Sequence, residues 1–155
     1  MNGIRLMKPY IEYSEVEAEF REVFESGIFT RGFHVTEFAK KIGAMVGAKH
    51  TFLTTSATTA LWVSLKALNV NAEDEVAISD FSFPATANVV EDIGAKPVFI
   101  DVNLDTFNMN ASDLVAKITP KTKAVIFVDA FGNPKGLHDI KEICEQHSLD
   151  RKSVV

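Results

Sequence analysis

The sequence predicts an α/β domain with a mostly parallel sheet and helices on both faces. From His50 onward, short β-branched or aromatic runs alternate with helical segments of about ten residues, the pattern of βαβ units. The run Ala124-Val125-Ile126-Phe127-Val128 is apolar throughout, which reads as a strand buried on both faces and therefore central in a covered sheet. A chain of 155 residues, 46% hydrophobic and 24% charged, has room for one domain with a real core.

The elements follow in order. Ser14-Glu15-Val16-Glu17 has the form of a capping box, and Val16, Phe20, Val23 and Phe24 repeat at helical spacing until Ser26-Gly27 stops them. A glycine-containing loop over 27–33 precedes a second amphipathic helix that starts near Thr36. Phe38, Ile42, Met45 and Val46 line one of its faces, and Gly47 stands where a left-handed cap is wanted. Strands are then expected at 51–55, Glu75–Ser79, Lys96–Ile100 and 123–128. The helices between and after them are expected at 58–68, 84–93, Ala111–Lys117 and 136–147, with Ser82 and Asn110 as candidate caps. A helical segment over 1–48, a sheet domain over 49–149 and an atypical, charged tail over 150–155 give the expected domain organisation. A further strand is expected after the last helix, and its absence suggests part of a larger protein.

Composition narrows the function. Sixteen basic and 21 acidic residues leave a net charge of −5, which disfavours bulk neutralisation of a phosphate backbone, so neither nucleic-acid binding nor a polybasic membrane anchor is expected. A single cysteine, Cys144, fits a reducing compartment, and its helical setting reads as a buried or half-buried thiol. No run is apolar and long enough for a signal peptide or a membrane span, so a soluble, cytoplasmic protein is expected. His34, His50, His138 and His147 are scattered without metal-ligand spacing, and no metal site is expected. Glu73-Asp74-Glu75 reads as a solvated turn.

Three segments can carry chemistry. Thr54-Thr55-Ser56-Ala57-Thr58-Thr59-Ala60-Leu61 puts small residues and hydroxyls where a helix begins, and unpaired amides with a positive dipole end suit a phosphate there. A plain Ser or Thr cap explains the same residues, but Ala57 and Ala60 also let a ligand approach the backbone. Phe81-Ser82-Phe83-Pro84 leaves the carboxyl end of a strand, where open α/β folds place ligands. Phe81 is expected to pack as core and one phenylalanine to be free to stack on a flat heteroaromatic ring. Asp129 ends the strongest strand, either facing the same crevice or forming a turn.

These segments belong to an ordered set that resembles the amino-terminal portion of the DegT/DnrJ/EryC1/StrS family, pyridoxal-phosphate-dependent aminotransferases of nucleotide-linked keto sugars. The set is Lys8-Pro9, Ser26-Gly27 through Thr30-Arg31-Gly32 with Glu37-Phe38, Ser56-Ala57-Thr58-Thr59-Ala60-Leu61, Asp74-Glu75-Val76, Phe83 with Ala85-Thr86, the run Gly94-Ala95-Lys96-Pro97-Val98-Phe99-Ile100-Asp101-Val102, and Ile118-Thr119-Pro120-Lys121-Thr122-Lys123-Ala124. The resemblance implies an incomplete large domain of the aspartate aminotransferase fold. It implies that Ala57 and Thr58 hold the cofactor phosphate and that Phe83 stacks on the pyridine ring. It also implies glutamate as amino donor, sugar assembly for surface polysaccharides or antibiotics, and a homodimer with active sites completed across its interface.

The chain departs from the family pattern in three respects. The Glu-Asp-x-Ala motif whose aspartate pairs with the pyridinium nitrogen and the later Schiff-base lysine are both missing, and Asp150 comes too early to serve as that aspartate. Asp129 stands where many relatives have histidine, and Ala57 replaces a commoner glycine. The chain alone is therefore expected to have no catalytic residues and no transaminase activity. A non-catalytic binding or regulatory module with an anion site at Ala57 and Thr58 is the alternative.

Overall fold

The structure, a computed structural model, describes residues 10–147 and Leu149. The motif Lys8-Pro9 and the tail over 150–155 lie outside the described residues. The chain divides between Leu53 and Thr54 into two compact units.

The first unit holds two helices, α1 (Tyr13–Ser26) and α2 (Phe33–Val46). Gly27, at φ 66°, ends α1 by turning its N–H back onto the carbonyls of Val23 and Phe24. The expected capping box does not form. The helix begins earlier, with Glu12 as an N-cap that makes no side-chain bond, and Glu17 instead pairs with Arg21 one turn on, at 3.0 Å. Nor does Thr36 start α2: its hydroxyl bonds back to the Gly32 carbonyl at 3.4 Å, inside a helix that already runs from Phe33. Phe20, Phe24, Phe33, Phe38, Met45 and Val46 on these helices are all exposed.

The second unit runs α3 (Ala57–Ala67), β1 (Glu75–Ser79), α4 (Ala85–Asp92), β2 (Lys96–Ile100), α5 (Ala111–Lys117), β3 (Thr122–Ile126), a 3-10 turn at Ala130–Gly132, and α6 (Leu137–Gln146). The strands form a parallel sheet in the order β2-β1-β3. Leu61, Leu65 and Leu68 of the α3 stripe pack with Val89 and Val90 of α4 onto Val76, Ile78, Ala124 and Ile126. The alternate strand residues Ala77 and Val125 join Ile100, Leu114 of α5 and Ile140 and Cys144 of α6 in a second cluster. Strand alternation thus sorts one apolar set to each face, and the sheet is covered by helices on both. Cys144 is buried as expected, and desolvation raises the pKa of its thiol.

Two strand expectations are corrected. Residues 51–55 form no strand, because their hydroxyls find local partners: Thr54 Oγ1 donates to the Ser56 carbonyl at 2.8 Å. In the first unit, Thr51 lies so close to Gly43 that a Cβ there would stand 2.6 Å from Thr51 Oγ1. The apolar strand β3 is buried on both faces but is not central; β1, every residue of which is buried, lies between β2 and β3. Burial by helices on each face and position within the sheet are separate properties, and an unbroken apolar run reports only the first. No helix among the described residues is long and apolar enough to cross a membrane.

Candidate functional site

Ser56 caps α3. Its backbone is extended and its Oγ accepts the Thr59 N–H at 3.1 Å, while its carbonyl accepts the Ala60 N–H. The hydroxyls of Thr55 and Thr59 lie 3.5 Å apart, and those of Ser56 and Thr59 3.0 Å apart. The Ala60 N–H thus makes the first turn's ordinary helix bond, and the Ser56 side chain satisfies one, that of Thr59, of the four amides that a helix start leaves over. The N–H groups of Ala57 and Thr58 and the Thr58 hydroxyl have no hydrogen-bond partner among the described residues. Two amides, one hydroxyl and the positive end of an 11-residue helix make a donor set for a phosphate, and the Ala57 methyl adds little bulk beside it. Capping and an open donor set coexist here: Ser56 is the cap, and the amides of Ala57 and Thr58 are what it leaves uncapped.

The loop after β1 presents Phe83, which is 77% exposed and in no ring contact among the described residues. Pro84, not Ser82, is the N-cap of α4, because Ser82 Oγ is engaged by Thr86 Oγ1 at 2.6 Å and Thr86 N–H goes to the Phe83 carbonyl. This pair braces the loop and leaves the Phe83 ring free to stack. A phosphate ester carrying a planar heteroaromatic ring thus suits the residues present: Ala57 and Thr58 for the anion, Phe83 for the ring.

Phe81, expected in the core, is instead exposed and packs on Phe107 and Phe131, with ring centroids 5.1 and 5.8 Å away; Phe107 and Phe131 meet edge-on at 5.8 Å. Phe107 and Phe131 hold φ values of 59° and 55°, a left-handed backbone that costs a non-glycine residue of order 1 kcal/mol.

Asn108 holds both in place. It is 1% exposed and makes three bonds: its Nδ2 donates to the carbonyls of Asn133 (2.6 Å) and Lys135 (2.9 Å), and its Oδ1 accepts the Ala130 N–H (2.9 Å). Lys135 and Asp105 add an exposed ion pair between the same two loops at 2.8 Å, which lowers the Asp105 pKa and raises that of Lys135. Sequence reasoning missed Asn108, Phe107 and Phe131. The partners of Asn108 lie 22 to 27 residues away, so no local pattern marks it.

Asp129 is half-buried at the end of the β3 segment, and its Oδ1 is enclosed without a partner, as is Ser79 Oγ at the end of β1. Glu75, read as part of a solvated turn, is buried: it accepts from Thr119 Oγ1 at 2.7 Å and Lys96 Nζ at 2.9 Å, and these two, in that order, lower its pKa. Those partners come from elements distant in sequence, which is why the acidic run looked like a turn. Among the described residues no cluster of histidine, cysteine and carboxylate side chains could hold a metal.

Comparisons with known proteins give the family and the fold. The profile of the DegT/DnrJ/EryC1/StrS aminotransferase family matches residues 11–150. Spore coat polysaccharide biosynthesis protein SpsC of Bacillus subtilis is 38% identical over 141 residues, which are 91% of this chain and 36% of that protein. UDP-2-acetamido-2-deoxy-3-oxo-D-glucuronate aminotransferase of Pseudomonas aeruginosa is 34% identical over 87% of this chain and 38% of its own length. The crystal structure of NtdA from Bacillus subtilis with bound cofactor PMP superposes with a TM-score of 0.85 at 30% identity, over 96% of this chain and 36% of that one. The chain thus spans well under half the length of the curated relatives it matches. With the profile covering nearly all of it and the fold shared with a solved relative, this chain belongs to the DegT/DnrJ/EryC1/StrS aminotransferase family, of which it corresponds to an amino-terminal portion.

Proposed function

We propose that this chain supplies the phosphate-holding and ring-stacking part of a pyridoxal-phosphate site, in a cytoplasmic enzyme that moves an amino group from glutamate to a nucleotide-linked keto sugar and works as a homodimer. The observation that carries the reading is the pair of uncapped amides at Ala57 and Thr58, with the Thr58 hydroxyl beside them, in a segment matched by the family. When bound, the cofactor supplies an electron sink for the amino carbon. The residues of this chain bind and orient: Ala57 and Thr58 fix the phosphate, Ser56 keeps the helix start open to it, and Phe83 covers one face of the ring. A pyridinium-pairing aspartate and a cofactor lysine in the family's motifs are not among these 155 residues, so this stretch by itself binds and does not transaminate. The domain organisation we propose with it is a helical segment over 1–48 followed in sequence by a partial cofactor domain over 49–149.

Trp62, the single tryptophan, sits one turn beyond Thr58 on α3 with Lys66 Nζ 5.4 Å from its ring centre, and so reports on the cradle by fluorescence. Titration with pyridoxal phosphate is expected to quench it, and Thr58→Val to weaken binding by about tenfold, the worth of one charge-assisted hydrogen bond. Equal affinity for phosphate-free pyridoxal, or no effect of Thr58→Val, would overturn the assignment. Equal affinity for inorganic phosphate would leave a bare anion site and favour a non-catalytic module.

A further inference from the structure

Each of the three strands sends one phenylalanine to a common point beyond its carboxyl end: Phe81 after β1, Phe107 after β2 and Phe131 after β3. None enters the core; they are 45%, 40% and 83% exposed. Two of them hold left-handed backbone that a bulky residue avoids, and relaxing either would swing its ring out of the cluster. Asn108, itself buried, prevents that with its three bonds to the loop that carries Phe131. Backbone strain, exposed rings and a buried clasp at one place describe a surface held ready for a ligand.

The size of the patch and its place identify the ligand. The three rings together expose less than two whole side chains, at most roughly 400 Å², about half of the ~800 Å² that each partner gives to a standard protein interface. That is the scale of one planar base. The patch also stands past the carboxyl ends of parallel strands, where open sheets hold small ligands.

We propose that Phe81, Phe107 and Phe131 form a stacking platform for the base of a nucleoside diphosphate, with Phe131 as the contacting ring and Asn108 as its positioning residue. The proposal rests on the reading of the substrate as a nucleotide-linked sugar, and it gives the nucleotide end of that substrate rings distinct from Phe83. Because stacking grows with ring area and tolerates base identity, guanosine diphosphate binds more tightly than uridine diphosphate, and both bind the same site.

The test titrates the chain with guanosine diphosphate, uridine diphosphate and inorganic pyrophosphate by calorimetry, and in parallel with pyridoxal phosphate by Trp62 fluorescence. Both nucleotides are expected to bind about tenfold or more tightly than pyrophosphate. Phe131→Ala, at a site too exposed to matter for folding, removes that margin; Phe131→Tyr keeps it; neither changes pyridoxal phosphate affinity. Asn108→Ala, assayed well below its unfolding temperature, narrows the margin too, whereas a purely structural asparagine would lower Tm and leave it intact. Nucleotides that bind no better than pyrophosphate overturn the proposal. So does a Phe131→Ala chain that keeps its nucleotide affinity and passes from dimer to monomer in sedimentation, since the patch then covers a second copy. Loss of pyridoxal phosphate binding with the nucleotide margin preserved overturns the cofactor reading alone.

Discussion

At the amino end of β1, Glu75 is tied to Thr119 ahead of β3 and to Lys96 on β2, so one buried carboxylate joins all three strands. At the carboxyl end of the same strand, Ser79 Oγ is enclosed with no partner, Asp129 Oδ1 is in the same condition, and Phe107 and Phe131 hold a strained backbone. The strand is only five residues long, and its two ends are built differently. At the first, no buried side-chain polar atom among the described residues lacks a partner. At the second, polar groups and backbone torsions are left in states that a stability-driven sequence would remove, which is the usual condition of a ligand-binding end.

Substitutions sharpen this contrast. The largest effect is expected at the one strong tie of the carboxyl end: Asn108→Ala removes three hydrogen bonds at once, leaving the Ala130 N–H only the Val128 carbonyl, and should lower unfolding free energy by about 3 kcal/mol in urea titrations. A loss below about 1 kcal/mol would mean that water replaces the clasp. Glu75→Ala comes next, at about 2 kcal/mol at neutral pH. Because the Thr119 hydroxyl and the Lys96 ammonium hold this carboxyl below its ordinary pKa, its contribution is complete above the ordinary carboxylate range. It is lost as the pH falls through that range to the lower folded value. The gap between wild type and Glu75→Ala, followed by urea unfolding from pH 7 downward, should therefore close in acid; a gap that is constant with pH would break the contrast at its stable end.

The carboxyl end should respond with the opposite sign. Ser79→Ala removes an unpartnered buried hydroxyl and is expected to stabilise the chain by up to about 1 kcal/mol. Phe131→Gly relieves a left-handed φ and exposes less apolar ring, for a smaller gain of about 0.5 kcal/mol in thermal unfolding, while removing the nucleotide margin. If both destabilise, the strain at this end is not stored and the two ends do not differ in kind.

Local rules read much of the fold. β1, β2 and α5 fall at their expected bounds, because each is set by an apolar run or by a cap, such as Asn110 with the Asp113 amide, within a few residues. The helix start with its open amides at Ala57 and Thr58 was legible for the same reason, since small residues and hydroxyls mark it within a few positions. What was not legible depends on partners far along the chain. Whether Glu75 is solvated depends on Thr119, 44 residues away. Phe81 was placed in the core because an aromatic after a strand has that default, and only Phe107 and Phe131 reveal otherwise. Residues 51–55 satisfied strand composition, yet threonine hydroxyls offered the backbone a competing set of bonds.

The order β2-β1-β3 has a kinetic consequence. β1 meets β2 through α4 alone, but reaches β3 only after the chain has passed β2 and α5 and crossed back over to the other side of β1. Closing the longer loop costs more chain entropy before any ladder bond repays it, so the β1–β2 pair is expected to nucleate and β3 to dock late. Until it docks, the apolar side chains of β3 and the open edge of β1 are both available to neighbouring chains. Refolding yield should therefore fall with protein concentration more steeply than the final stability would suggest.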